Sequence, residues 1–88
     1  MANQATVRLE LDNVEALVLF EFLAREIDDA NGKRLKPLTN HDGELWALNA
    51  LHCVLEKELV APFQGDYKQQ VERANSTLEK LNGGSWAK

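Results

Sequence analysis

VEALVLFEFLAREIDDA, residues 14–30, decides how this chain folds. Ala16, Leu17, Leu19, Phe20, Leu23, Ala24 and Ile27 recur at helical spacing along one side. Val14, Val18 and Phe22 recur at i, i+4 and i+8 on the opposite side, among Glu15, Glu21, Arg25, Glu26 and Asp29. A helix in a three-helix core needs only one apolar stripe. A second stripe is normally covered by something. In a chain of 88 residues the simplest cover is a second copy of the chain.

Upstream, residues 6–11 alternate. Val7, Leu9 and Leu11 share one face, and Thr6, Arg8 and Glu10 the other. That period of two predicts a half-buried β-strand. No second strand follows, so its backbone groups want a partner. Antiparallel pairing with the same strand of a second copy, across a two-fold axis, would supply one. Asp12 then reads as a helix N-cap, with Glu15 completing a capping box.

Downstream, Asp28 and Asp29 oppose the helix dipole, which predicts a frayed last turn stopped at Asn31 or Gly32. Residues 33–40 form a loop, with Lys36 held extended by Pro37. A second helix, capped by Asp42, runs to about residue 60. Its main stripe is Leu45, Leu48, Leu51, Leu55 and Leu59, with His52 at the margin. A second stripe contains Trp46, Ala50, Cys53 and Val60. Residues 61–65 break the chain. Asp66 and Gln69 form another capping box ahead of a third helix with one narrow stripe: Tyr67, Val71, Ala74, Leu78 and Leu81. Asn82-Gly83-Gly84 stops it. The predicted fold is mainly α: one N-terminal β-strand followed by three helices, an antiparallel helical hairpin plus a surface helix, with the strand paired across a dimer. It is a single domain over residues 1–88, with loose tails at 1–5 and 84–88.

Hydrophobic content of 44% and charged content of 27% fit a globular protein and exclude a disordered one. The net charge of −4 disfavours phosphate backbones. Its basic exception is the cluster Lys33, Arg34 and Lys36, which reads as a solvated loop or a phosphate contact. One cysteine forbids an intramolecular disulfide. The chain shows neither a secretory signal pattern nor an apolar run of the ~20 residues a membrane span requires, so the expected compartment is the cytoplasm.

The segments VRLELDNVEALVLFEFLARE and GELWALNALHCVLEKELVAPFQGDY resemble a group of small bacterial proteins without an assigned function. The resemblance covers residues 6–67. It implies a bacterial cytosolic protein with strand-helix-helix order, and it carries no catalytic motif.

Candidate chemistry is sparse. His52 and Cys53 are adjacent, hence about 100° apart on a helix, and cannot readily share a metal ion. His52 reads as the edge of the core and Cys53 as a buried, inert thiol. Glu56, Glu58, Asp28 and Asp29 read as solvated carboxylates. No metal, cofactor or enzyme activity is predicted. The expected function is a non-enzymatic homodimeric interaction module. Its seam would hold Val7, Leu9, Val14, Val18, Phe22, Trp46, Ala50 and Cys53. Two alternatives stand beside it. One is a DNA-binding regulator of ribbon-helix-helix type, weakened by Glu10 on the outer strand face and by the long 31–41 connection. The other is a small enzyme with a pocket in the dimer seam.

Overall fold

The computed structural model describes residues 5–59 and 64–86. Three α-helices carry it: α1 (Asn13–Leu23), α2 (Asp42–Glu58) and α3 (Tyr67–Leu81). Val60 and residues 61–63, part of the expected second stripe and of the break after α2, lie outside the described residues, as does most of the N-terminal tail.

The entry into α1 follows the sequence. Asp12 is extended at φ −61° and ψ 153°, and its N–H donates to Glu15 Oε1 at 3.0 Å. After Leu23 the helix does not fray. It widens into a π-helical segment, Ala24–Asp29, in which the Ala30 N–H reaches back to the Arg25 carbonyl at 2.9 Å. Asn31 (φ 54°) and Gly32 (φ 69°) both turn left-handed and end it. A Cβ on Gly32 would meet the Leu45 methyls at an ordinary 3.6 Å, so the positive φ rather than lack of room selects glycine there.

Three local expectations are corrected. Lys36 is not extended: Lys36–Leu38 forms one 3₁₀ turn, closed by the Thr39 N–H on the Lys36 carbonyl at 3.1 Å. The cap of α2 is His41, not Asp42, because the N–H groups of Asn40 and His41 both converge on Glu44 Oε2 at 2.9 Å. The box at α3 does not form through Gln69. Instead the Gln70 amide donates to Asp66 Oδ1 at 2.6 Å and to Gln64 Oε1 at 2.7 Å.

The larger correction concerns residues 6–11. No β-strand occurs among the described residues. The segment has no ladder partner, and Val7 and Leu9 are 82% and 77% exposed. Alternation of apolar and polar residues suits a strand, but only a neighbouring strand supplies the hydrogen bonds that make one. The N-terminal strand, and the ribbon built on it, is withdrawn.

α1 is the spine of the packing, and apart from Phe22 both its stripes are used within the chain. On one side Ala16, Phe20 and Leu23 pack with Leu55 of α2 and with Leu59 just past its end, joined by Leu48 and Leu51. On the other side Leu17 is buried with Ala74 of α3, flanked by Val14, Val18, Tyr67 and Val71. α2 runs antiparallel to α1, since His52 stacks on Phe20 while Leu45 lies near Ile27 at the far end. α3 also runs antiparallel to α1: Tyr67 at its start reaches Glu21, and Ala74, two turns on, meets Leu17. Val14 and Val18 are therefore taken by α3, not left for a second copy.

Candidate interaction surface

The helical residues expected at a seam separate into three groups, apart from the exposed Val7 and Leu9. Val14 and Val18 are half-buried under α3. Phe22 stays 38% exposed at the rim of α1, with the Arg25 guanidinium 5.4 Å from its ring centroid in a cation–π contact. The α2 group is open. Trp46 is 72% exposed and Val54 56% exposed, and Ala47, Ala50 and Cys53 are exposed beside them. This surface exists because α2 points Leu48, Leu51 and Leu55 at α1, which turns Trp46, Ala50 and Cys53 outward. The exposure of Cys53 corrects the expectation of a buried thiol. Its helix face is outward because His52, one position earlier, takes the inward one.

Trp46 also walls a groove of about 500 Å³ between the end of the π segment and the start of α2. Ile27 and Leu45 form the apolar floor, and Lys33, Lys36, Asp42 and Asn49 stand on the rim. On that rim Lys36 Nζ donates to Asp42.

The basic loop is not a free phosphate contact. Arg34 Nε and Nη2 donate to the two oxygens of Glu26 at 2.8 and 3.0 Å, and Arg25 Nε donates to the same carboxylate at 3.1 Å. Glu26, an acid the sequence places beside the Val14–Val18–Phe22 stripe, is buried at 8% exposure. The Arg34 guanidinium, and then Arg25, holds the Glu26 carboxyl below its usual range, and Glu26 in turn raises Arg34. A basic loop eight residues after an acid-rich turn was the signal that could have announced this clamp.

Two further polar groups lie inside. The Tyr67 hydroxyl donates to Glu21 Oε1 at 2.6 Å. Burial, and then the Glu21 carboxylate, pushes that phenol well above its ordinary pKa. His52 stacks on Phe20 at 5.0 Å between centroids and 17° between planes. Its Nε2 is buried without a hydrogen-bond partner among the described residues. No cluster of three or more His, Cys, Asp or Glu side chains suited to a metal occurs among the described residues. No helix there is long and apolar enough to cross a membrane.

No family model, curated protein or solved structure matches this chain.

Proposed function

We propose that the protein is a non-enzymatic, homodimeric interaction module whose seam is the outer face of α2. The observation that carries this is the open stripe of Trp46, Ala50, Cys53 and Val54, with Trp46 72% exposed. A tryptophan side chain buries at most about 250 Å². The exposed share of Trp46 is then roughly 180 Å², and its removal from water contributes up to about 4.5 kcal/mol per copy. Large exposed aromatics are where interfaces concentrate their energy. The net charge of −4 keeps such a module apart from anionic partners.

Sedimentation equilibrium across the micromolar range tests the proposal. Wild type sediments as a dimer. Ala50→Glu, which alters a residue exposed in the single copy, sediments as a monomer with unchanged helical circular dichroism. A wild-type chain that remains monomeric throughout that range removes the proposal.

A further inference from the structure

The open face of α2 has a pattern that specifies how a second copy would lie on it. Trp46, Ala50, Cys53 and Lys57 are spaced by four, three and four residues, the a/d repeat of a helix–helix seam, and all four are exposed. Large or long side chains stand at the ends of this line and small ones at its centre. No acid falls on it between Trp46 and Lys57.

Building on the dimer reading above, we propose that two copies pair through α2 in antiparallel fashion. Trp46 lies opposite the partner's Lys57, and Ala50 lies opposite the partner's Cys53. A parallel pair would set Lys57 against the partner's Lys57 and Trp46 against the partner's Trp46. That places like charges together and leaves the small centre gaping. The antiparallel register instead lays each ammonium on an indole face. It also lets two small layers bring the helix axes to about 8 Å, the close end of ordinary helix packing. The line is thereby complementary to itself under a two-fold axis, which a closed dimer requires.

The register has a measurable consequence. Its two-fold axis passes level with the middle of the Leu51–His52 step, so Cys53 sits one and a half residues beyond it. At 1.5 Å per residue the two Cys53 Cα atoms are roughly 4.5 Å apart along the axis. With axes about 8 Å apart, their separation is about 5–6 Å, inside the range a disulfide bridges. Cys53 is the one cysteine in the chain, so any disulfide joins two copies.

Full-length protein, held at a concentration where sedimentation shows a dimer, is oxidised with copper-phenanthroline in air. Two thiols lose two protons and two electrons to the oxidant and form one S–S bond. The expected result is a dithiothreitol-reversible dimer on a non-reducing gel, with the rate at least about tenfold lower in monomeric Ala50→Glu. In a Cys53→Ser background, Ala50→Cys cross-links as well, because it sits as far below the axis as Cys53 sits above it. Lys57→Cys does not, since its two copies would be about 16 Å apart along the axis. Sedimenting dimers that cross-link through Lys57→Cys but not through Cys53 would overturn the register and leave the dimer standing. A chain that sediments as a monomer would overturn both.

Discussion

Replacing His52 with leucine is expected to make the protein more stable. His52 is 8% exposed, in the layer where α2 meets α1. Its Nε2 is enclosed without a partner among the described residues. Such an orphan costs about 1–3 kcal/mol relative to a satisfied group. Leucine fills a similar volume and removes the orphan. It forfeits the stack on Phe20, an interaction of roughly 0.5–1.5 kcal/mol. The balance is a gain of about 1 kcal/mol. For a chain of 88 residues this raises Tm by roughly 4–8 °C. The assay is thermal unfolding followed by circular dichroism, repeated with urea, at one fixed protein concentration because dimerisation shifts Tm by mass action. His52→Ala is the companion. It leaves a void and loses about 2–3 kcal/mol, which establishes that the site is packed. A leucine variant less stable than wild type, beside a strongly destabilised alanine variant, would mean that Nε2 is satisfied in solution and would refute the reasoning.

Three other outcomes follow from the polar contacts and the helix stop. Tyr67→Phe loses the 2.6 Å bond to Glu21 and is expected to cost about 1 kcal/mol by urea unfolding. Because the folded Tyr67 pKa is raised, its contribution is complete below the unfolded value of about 10 and declines as pH climbs past it. Wild type should therefore lose stability on the alkaline side more steeply than Tyr67→Phe, and parallel curves would count against the contact. Glu26 has the opposite sign. Its folded pKa is depressed below 4.5, so its contribution is present above that value and disappears as pH falls through the folded one. The urea midpoint of wild type should drop on acidification more than that of Glu26→Gln, and equal slopes would argue against the Arg34 clamp. Gly32→Ala places a Cβ on a residue at φ 69° and should lower stability by about 1 kcal/mol, with no loss meaning that the turn relaxes freely.

Much of the helical architecture was written in local signals. The Asp12–Glu15 pair, the Asn31-Gly32 stop and the leucine stripe of α2 each announce themselves over a few residues. What local signals did not carry was which element covers each face. Two stripes on α1 suggested a second copy, yet a central helix in a three-helix packing must bury two faces, and the narrow stripe of α3 was the missing cover for Val14 and Val18. The alternation at residues 6–11 stated what a strand would bury but not whether a ladder existed to make one. Cys53, placed on the second stripe of α2 and read as a buried thiol, is exposed in the single chain. One step along the helix from His52 turns the side chain by about 100° and puts it outside. Glu26 escaped because its burial depends on a guanidinium eight residues away and on the widened turn that aims it inward. Trp46, Ala50 and Cys53 lie exposed on the outer face of α2, and the functional proposal rests there.

The position of α1 between its two neighbours has a consequence for how the molecule breathes. Each outer helix shields mainly a different side of it, so lifting α3 would bare Leu17 and take only Tyr67 from the Phe20–Leu55 layer, while lifting α2 would open that layer and leave Leu17 covered. Openings of this kind are graded in free energy along a chain. Deuterium should therefore enter α3 and α2 through separate partial openings. The amides in the middle of α1 would be the last to exchange, because they surrender their protons only when both flanks are gone.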